Sequence, residues 1–431
     1  MSTKLKIAVV GLGGRGKDSY IPILKQYSNK VELVAVADII QDKVNEVAKE
    51  YNLPTEACFS SAEELLAKER LADAIFITTQ DRDHVRQAMV ALEKGYHILL
   101  EKPISPDAKE CVKLARAAKH HGRQVIVCHV LRYTPFFTKL KAVLTSGRIG
   151  EITTVVGLEN VGWWHQAHSF VRGNWANAEE TSPMILAKCC HDMDLYLWLT
   201  GKTCESISSF GNTYLFKKDQ APVGAAKRCL DGCKAKETCL FDAEKIYMDN
   251  DETGVRKGHT GWPLNVVALQ PTEENVLDAL KTGPYGRCVY YCDNNVVDHQ
   301  IVNMNMTDGT LISFTMSGFT ADISRYCKIM GTTGEIIGEM EKNQIHIREF
   351  NGKEETIDLN TLENDLSGHG GGDSGLIESF LAVLRGETKG QEHITSIEAS
   401  VESHYCALAA EESRLGGGKV VCLSAYRNLD D

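Results

Sequence analysis

The feature that most constrains this fold is a glycine-rich segment at residues 11–16, directly after the apolar run Leu5–Val10. Because that run is continuous rather than alternating, it is typical of a parallel strand buried on both faces. The segment has the spacing G-x-G-x-x-G, and a stretch of helical character follows at residues 17–27. A second apolar run, Val31–Ala37, ends at Asp38. The sequence therefore predicts a strand–helix–strand unit.

Each glycine of this motif has a separate physical task. Gly11 permits a tight turn, Gly13 lets the backbone approach a pyrophosphate, and Gly16 lets helix and strand pack closely. The helix N-terminus offers unpaired N–H groups to the same anion. Asp38 can accept both ribose hydroxyls and would repel a 2′-phosphate, which favours NAD over NADP. The predicted cofactor contacts in this unit are Asp38 and the loop residues Gly11, Leu12, Gly13, Gly14, Arg15 and Gly16. A glycine-rich turn without a ligand is the alternative.

Bulk properties exclude several classes of protein. With 431 residues the chain can form two domains, and its net charge of −11 argues against nucleic acid or an anionic membrane as partner. No apolar run approaches the ~20 residues of a membrane span. Residues 1–4 lead directly into the first strand, so we expect no signal peptide and a cytoplasmic location. In that compartment the 14 cysteines would be buried thiols or metal ligands rather than disulfides.

Strands and helices alternate up to about residue 130. Further strands are predicted at residues 57–59, 73–79, 97–102 and 125–130, and helices at residues 41–51, 83–94 and 106–121. This alternation is typical of an α/β doubly wound parallel sheet. We therefore expect residues 1–130 to be a dinucleotide-binding Rossmann domain.

The remaining residues, 131–431, have a different pattern. Alternating or β-branched runs occur at residues 152–161, 298–320, 329–341 and 344–350, and the second run contains a hairpin signal at Asp308-Gly309. Late helices are predicted at residues 374–386 and 396–415. We expect an α+β domain with an open, mainly antiparallel sheet.

A polar, cysteine-rich stretch at about residues 216–290 is too long for a bare loop and indicates an insertion. Tetrahedral zinc needs four soft ligands and could hold such a segment together. The predicted zinc ligands are Cys229, Cys233, Cys239 and a fourth residue, Cys288 or Cys292. Buried free thiols and an iron–sulfur cluster are the alternatives.

Several short motifs after the glycine loop resemble those of one family. They are Thr78-Thr79 with His84, then Glu101-Lys102-Pro103, then the segment 191–194 that begins with His191. In these motifs the chain resembles the Gfo/Idh/MocA oxidoreductases. The resemblance implies an N-terminal NAD(P)-binding domain and a C-terminal sheet that forms the substrate wall and commonly a dimer interface. It also implies a homo-oligomer, dimer or tetramer, with further cofactor contacts at Thr78, Thr79, His84, Glu101 and Lys102.

Lys102 and His191 are the predicted catalytic residues. Lys102 follows a parallel strand, where open α/β sheets bind ligands, and its ammonium can stabilise a developing oxyanion. His191 matches the usual catalytic histidine of the family that the chain resembles, and a histidine can exchange protons near neutral pH. Many dehydrogenases of that family carry aspartate four residues earlier, whereas this chain has Ala187. The adjacent Lys188 could bind an anionic or carbonyl oxygen of the substrate.

Substrate contacts are predicted from three further places. The segment 163–175 combines aromatic rings with histidine and arginine, a composition that suits a sugar ring, although it could also be a packed aromatic loop. The glycine-rich segment 367–373 could contact substrate or act as a linker. Arg132 and Tyr133, just after the sixth strand, are a further pair of residues that could line the pocket. The predicted substrate contacts are Arg132, Tyr133, Trp164, His165, Arg172, Trp175, Lys188, Asp194 and His369, with an orienting role for Asp194.

The sequence thus favours an NAD-dependent oxidoreductase that transfers a hydride from a secondary alcohol of a sugar or sugar derivative. Two alternatives remain open. A redox-neutral glycoside hydrolase would use NAD to oxidise a sugar hydroxyl transiently and then expel the aglycone by elimination. A nicotinamide-binding sensor would bind the cofactor without turnover. In each case the expected partner is a small carbohydrate rather than nucleic acid or a membrane.

Overall fold

The computed structural model describes residues 4–361, 367–387 and 394–430, and its strands form two separate sheets. Residues 1–3, which belong to the segment expected to lack a signal peptide, lie outside the described residues. Short helical segments punctuate both halves of the chain. The π-helical segments are Gly14–Tyr20, Gln166–Arg172 and Lys245–Asp249. The 3₁₀ segments are Thr55–Ala57, Asp81–Asp83, Val130–Tyr133, Lys218–Gln220, Val255–Lys257, Pro284–Gly286, Leu359–Thr361 and Asn428–Asp430.

The first sheet has six strands, all parallel, in the order β3-β2-β1-β4-β5-β6. Its strands are β1 (Leu5–Val10), β2 (Val31–Ala37), β3 (Cys58–Phe59), β4 (Ala74–Ile77), β5 (His97–Leu100) and β6 (Val125–Val127). The helices between them are α1 (Ile21–Gln26), α2 (Gln41–Tyr51), α3 (Ala62–Ala67), α4 (His84–Glu93) and α5 (Ala108–His121). Every residue of β4 is buried, as a continuous apolar run requires in a sheet covered on both faces. The predicted doubly wound sheet is confirmed.

The first helix differs from its prediction. A single helix was expected over residues 17–27, but the chain forms the π-helical segment Gly14–Tyr20 and only then α1. Two glycines weaken regular helix formation in this segment, and Pro22 has no N–H to donate to a preceding carbonyl. The wider π turn therefore carries the chain from the glycine loop into α1.

The second sheet has nine strands in the order β14-β13-β12-β11-β7-β10-β9-β8-β15. Its strands are β7 (Ile152–Asn160), β8 (Cys204–Asn212), β9 (His299–Met306), β10 (Leu311–Ser317), β11 (Ser324–Gly331), β12 (Gly334–Glu339), β13 (Gln344–Glu349), β14 (Glu354–Asp358) and β15 (Val421–Cys422). Only the β7–β10 pair is parallel among these strands, so the expected open, mainly antiparallel sheet is confirmed.

The strands and the hairpin predicted from local sequence agree only in part with this sheet. The hairpin between β9 and β10 turns at Asp308 and Gly309, and Gly309 has φ +91°, which glycine adopts without strain. The expected single run 329–341 is two strands, because the chain reverses between Gly331 and Gly334 and pairs Ile329 with Ile336. Strand β8 was not predicted, since its serine- and glycine-rich sequence gives a weak pattern.

Further α-helices lie in the second domain and its insertion. They are α6 (Pro135–Thr145), α7 (Trp163–His165), α8 (Met184–Ala187), α9 (Cys190–Thr200), α10 (Leu264–Val267), α11 (Glu273–Thr282), α12 (Ser367–Gly370), α13 (Gly372–Leu384), α14 (Ile397–Leu415) and α15 (Ser424–Arg427). Both predicted late helices are present as α13 and α14. Helix α14 packs against β8, α9 and α5, so it touches both domains.

The insertion has a hydrophobic core of its own. Its buried members include Ile246, Tyr247, Leu264, Val276 and Leu280, none of which has accessible surface. Burial of such side chains contributes about 1.5–3 kcal/mol each, so the segment can be held by apolar packing. An ordered core therefore replaces the metal that the sequence analysis expected to hold the insertion together.

The zinc prediction is not supported. Cys229, Cys233, Cys239 and Cys288 line one small cavity, with Cys292 nearby in the same cluster. Across residues 4–361, 367–387 and 394–430, however, no three His, Cys, Asp or Glu side chains are grouped so that they could hold a metal ion. These cysteines are free thiols, and burial is the main cause of the raised pKa of Cys288, about 11.

Candidate active site

The glycine loop leaves its backbone open on one side. At Gly11, φ is +88° and a Cβ atom would lie 2.5 Å from the carbonyl oxygen of Thr78. At Gly16 a Cβ atom would lie 2.1 Å from the carbonyl oxygen of Gly11. By contrast, a Cβ atom at Gly13 or Gly14 would meet nothing within 4 Å. Two glycines therefore permit close packing, and the other two leave space in which a ligand can reach the backbone.

Asp38 stands beside this loop at the end of β2. One of its carboxylate oxygens accepts a hydrogen bond from the backbone N–H of Leu12 at 2.6 Å, and the other accepts from Ile40 at 2.8 Å. These bonds fix the carboxylate at the edge of the loop. The next side chain, Ile39, is 85% exposed, so an apolar surface rather than a cation adjoins the carboxylate.

Thr78, Thr79 and His84 support the neighbouring strand ends. The hydroxyl of Thr78 donates to the carbonyl of Gly11 at 2.5 Å. His84 is buried, and its two ring nitrogens lie 2.7 Å from the carbonyl of Pro103 and 3.1 Å from that of Thr79. These residues therefore tie the ends of β4 and β5 to the glycine loop.

A buried ionic cluster joins the glycine loop to α13. The Arg15 guanidinium donates to Glu101 at 2.8 Å and to Asp373 at 2.6 Å. The hydroxyl of Tyr20 donates to the same Glu101 oxygen at 2.5 Å. Burial opposes ionisation of Glu101, but the charges of Arg15 and Lys102 hold its pKa below the usual value. The carboxylate is therefore ionised, and it fixes the strand end just before Lys102.

His369 belongs to the same cluster. Its Nδ1 lies 3.1 Å from Asp373 and 3.2 Å from the Arg15 guanidinium. Hydrogen bonds from His369 and the charge of Arg15 outweigh the effect of burial and lower the pKa of Asp373. His369 thus lies beside the cofactor loop, on the second-domain side of it.

Lys102 lies close enough to His191 for its charge to act on the imidazole. The Lys102 ammonium donates to the backbone carbonyl of Ala187 at 2.7 Å, in the turn before α9, which carries His191. His191 is only 7% exposed, and its Nδ1 has no hydrogen-bond partner among the described residues. Burial and the charge of Lys102 hold the pKa of His191 well below its usual value. A neutral imidazole, able to accept a proton, therefore lies near an ammonium.

Next to His191 lies a network of four charged side chains, of which the two carboxylates are buried. Lys188 approaches Glu159 at 3.2 Å, and Arg325 contacts Glu159 at 2.9 Å and Asp192 at 3.0 Å. Burial raises the pKa of Asp192 despite the nearby Arg325 guanidinium. Lys188 is therefore already paired with a carboxylate. The sequence analysis missed Glu159 and Arg325, although a glutamate at an inward-facing position of β7 was a usable signal.

The aromatic segment occupies another side of the site. Trp164 is buried, and its indole N–H donates to Glu252 at 3.1 Å. The indole N–H of Trp175 is directed at Asp81, at 3.3 Å. His165 is half-buried, and desolvation of its ring and the charge of Lys188 keep its pKa well below the usual value. The segment thus forms part of the second-domain wall near Lys188.

Arg172 lies elsewhere, in the core of the insertion. Its guanidinium is 1% exposed and donates to the carbonyls of Phe241 at 2.6 Å and Arg287 at 2.7 Å. It also approaches the sulfur of Cys229 at 3.6 Å. These contacts connect the aromatic segment to the insertion.

Arg132 and Tyr133, the predicted substrate contacts after β6, bond to other residues of the protein. Arg132 donates two hydrogen bonds to Asp194, at 2.6 and 2.5 Å, and both side chains are buried. The hydroxyl of Tyr133 accepts from the backbone N–H of Thr395 at 3.0 Å. Arg132 and Asp194 join the segment after β6 to α9, and so they hold the helix that carries His191.

The fold and the site define the class of oxidoreductases with an N-terminal NAD-binding Rossmann domain. A family model described as an oxidoreductase family with an NAD-binding Rossmann fold matches residues 5–129. The model of that family's C-terminal α/β domain matches residues 141–423. The chain belongs to the Gfo/Idh/MocA oxidoreductase family.

Individual relatives are distant. The putative oxidoreductase YteT of Bacillus subtilis is 22% identical over 400 residues, which are 87% of this chain and 88% of that protein. An inositol 2-dehydrogenase of Corynebacterium glutamicum is 27% identical over 209 residues, which are 48% of this chain and 57% of the enzyme. An oxidoreductase from Agrobacterium radiobacter, solved with NAD⁺, L-tartaric acid and magnesium, has a similar fold, with a TM-score of 0.67. It is 14% identical, and the match covers 98% of this chain and 99% of that one.

Within the described part of the chain, no helix combines the length and the apolar character that crossing a bilayer requires.

Proposed function

We propose that this protein is an NAD-dependent enzyme that oxidises a secondary alcohol of a sugar or a sugar-derived polyol. The observation that supports the proposal is the Lys102 ammonium, held by the Ala187 carbonyl at the carboxyl edge of the first sheet, where open α/β sheets bind ligands, with the unpartnered Nδ1 of His191 on the helix that follows Ala187. Relatives that include an inositol 2-dehydrogenase support a carbohydrate-like substrate.

The residues of the first domain fit a dinucleotide. The open backbone at Gly13 and Gly14 offers the close approach that a pyrophosphate needs. The Asp38 carboxylate suits ribose hydroxyls, and its exposed neighbour Ile39 leaves no cation there for a 2′-phosphate. NAD would therefore be preferred over NADP. When bound, the nicotinamide accepts the hydride.

Lys102 and His191 have different roles at the reacting hydroxyl. Neutral His191, whose Nδ1 has no hydrogen-bond partner among the described residues, accepts the proton of the substrate hydroxyl. The Lys102 ammonium uses one of its three N–H groups on Ala187 and donates from another to the substrate oxygen as negative charge develops there. Glu101, held by Arg15 and Tyr20, positions Lys102 rather than exchanging protons itself.

A second candidate function is redox-neutral glycoside cleavage at the same site. The observation that favours it is Ala187, which places a backbone carbonyl beside Lys102 at the position where many related dehydrogenases have a carboxylate. In that reaction the sugar ketone would acidify the neighbouring C–H bond, and the aglycone would leave by elimination. Water would then add to the unsaturated ketone, and return of the hydride to the ketone would leave no net change in NAD.

We also propose that the protein is a homo-oligomer, a dimer or a tetramer. Apolar side chains are exposed on the outer face of the second sheet, among them the directly paired Phe210 and Ile301, with Val156 and Leu311 on strands of the same sheet. Exposed apolar surface of this kind is typical of protein interfaces. Sedimentation analysis tests this proposal, and a monomer at micromolar concentration would contradict it.

The function is tested by incubating the full-length protein with NAD and a panel of polyols, monosaccharides and aryl glycosides. A dehydrogenase accumulates reduced nicotinamide in proportion to product. The glycosidase releases aglycone while the reduced nicotinamide stays constant. NAD binding in calorimetry without turnover on any member of the panel would contradict both enzymatic functions and favour a sensor.

A further inference from the structure

The insertion places one exposed aromatic ring next to the candidate active site. The Trp262 ring centroid lies 4.8 Å from that of His165 and 5.2 Å from that of Trp164. Trp262 is 46% exposed, whereas Trp164 is 5% exposed. Trp164 therefore supports Trp262 from within the protein, and the Trp262 ring remains partly open to solvent.

The segment that carries Trp262 contacts both the second domain and the first domain. Just after it, the Asn265 amide donates to the carboxylate of Asp18 at 2.8 Å. Asp18 belongs to the π-helical segment Gly14–Tyr20, which continues from the glycine loop. The insertion therefore reaches across from the second domain to the first, and Trp262 lies where the two domains meet.

His165 connects this ring to the catalytic groups. Burial and the positive charges of Lys188 and Lys102 hold the pKa of His165 well below its usual value, so the imidazole is neutral. Its Nδ1 is buried and has no hydrogen-bond partner among the described residues. A buried polar atom without a partner is costly, and a ligand hydroxyl would satisfy it.

We propose that Trp262, Trp164 and His165 form a subsite for a second glycosyl unit, attached to the unit on which Lys102 and His191 act. The preferred substrate is then a glycoside or an oligosaccharide rather than a free monosaccharide. This inference rests on the proposed function, because it needs a carbohydrate at the catalytic pair.

The chemistry of the cluster favours a sugar over other occupants. The face of an indole ring packs against the apolar C–H face of a pyranose, and a single neutral hydrogen-bonding group can recognise one hydroxyl. Among the described residues, no lysine or arginine lies over the Trp262 ring, so its outer face is left for stacking. The cluster therefore offers a glycosyl unit one stacking face and one neutral hydrogen-bonding group.

The test compares matched substrates on the full-length protein with NAD. The probes are D-glucose with cellobiose, D-xylose with xylobiose, and D-mannose with mannobiose, and both turnover and saturation-transfer NMR binding are measured. We expect Trp262→Ala to lower kcat/KM for the disaccharide of the active pair about tenfold, since one stacked aromatic face is lost, and to change the monosaccharide value less than about twofold. Trp262→Tyr should restore most of the loss. The matched control is Phe350→Ala, which removes another exposed aromatic ring, in the turn that follows β13.

The outcomes separate the subsite from the function. Equal losses on both members of a pair, or no loss on either, would overturn the subsite. Wild-type protein that binds monosaccharides but excludes the corresponding disaccharides would overturn the subsite and leave the function intact. Wild-type protein that binds NAD but neither binds nor turns over any saccharide would overturn the proposed function itself.

Discussion

The Lys102 ammonium donates to the backbone carbonyl of Ala187 at 2.7 Å, although 85 residues separate the two in the sequence. This bond joins the end of β5 to the turn before α9, so the placement of Lys102 and His191 depends on contact between the two domains. A neutral carbonyl uses one N–H of the ammonium and leaves two N–H groups for other acceptors. The ammonium is thereby available to a developing oxyanion.

Replacement of Lys102 by methionine should abolish turnover while NAD still binds. We expect kcat to fall about 10³-fold, because both the oxyanion donor and its charge are lost. Steady-state kinetics measure the loss, and calorimetry measures NAD affinity. Lys113→Met, at an exposed position on α5, is the control. A Lys102→Met variant with wild-type kcat would contradict the assigned role.

Cofactor preference should depend on Asp38. We expect Asp38→Asn to weaken NAD binding about tenfold, since a charged hydrogen-bond acceptor for the ribose is lost. The double variant Asp38→Ser with Ile39→Arg should favour NADP, because an arginine there can accommodate the 2′-phosphate. Titration calorimetry with both cofactors measures these changes, and exposed Asp42→Asn is the control. Unchanged NAD affinity in Asp38→Asn would rule out ribose binding at this carboxylate.

The buried pair of Arg132 and Asp194 should matter more for stability than for substrate binding. We expect Asp194→Asn to lower the free energy of unfolding by about 3–5 kcal/mol, because it leaves the buried Arg132 charge without its partner. The double variant Arg132→Met with Asp194→Leu should recover much of that loss. Urea denaturation measures the free energy of unfolding of both variants and of the wild type. A loss below about 1 kcal/mol in Asp194→Asn would mean that the pair is not a buried structural contact.

Three buried histidines should make the protein sensitive to acid. Burial lowers the pKa of His129 to about 4 and those of His168 and His404 to about 3. The unfolded chain, with histidine pKa about 6.5, binds these protons first, so their contribution to stability is complete above about pH 6.5 and is lost as the pH falls below it. Each adds a slope of about 1.4 kcal/mol per pH unit.

Urea unfolding at about pH 7.5, 6 and 5 measures this slope. In His404→Gln the pH dependence of the free energy of unfolding should be smaller by about 1.4 kcal/mol per pH unit, because one buried titrating group is gone. The exposed His120→Gln is the matched control. A free energy of unfolding that stays constant from about pH 7 to 5 would show that these imidazoles already bind protons in the folded state.

The sequence alone was enough for features that depend on neighbours in the chain. The continuous apolar run of β1, the glycines after it and Asp38 after β2 predicted the first sheet and its cofactor loop, because strand burial and turn geometry leave local patterns. The hairpin at Asp308 and Gly309 was predictable for the same reason. The position of Lys102 after a parallel strand was the basis for predicting it as a catalytic residue.

The tertiary structure decided which distant residues meet. No local pattern connects Arg15 with Asp373, Glu159 with Arg325, or Trp262 with His165, and each pair is held by packing between elements far apart in the chain. The same holds for the cysteines, whose spacing indicated a metal that their placement does not support. Periodicity determines which face of a strand or helix is buried, but the identity of the side chain facing it depends on how the whole chain folds.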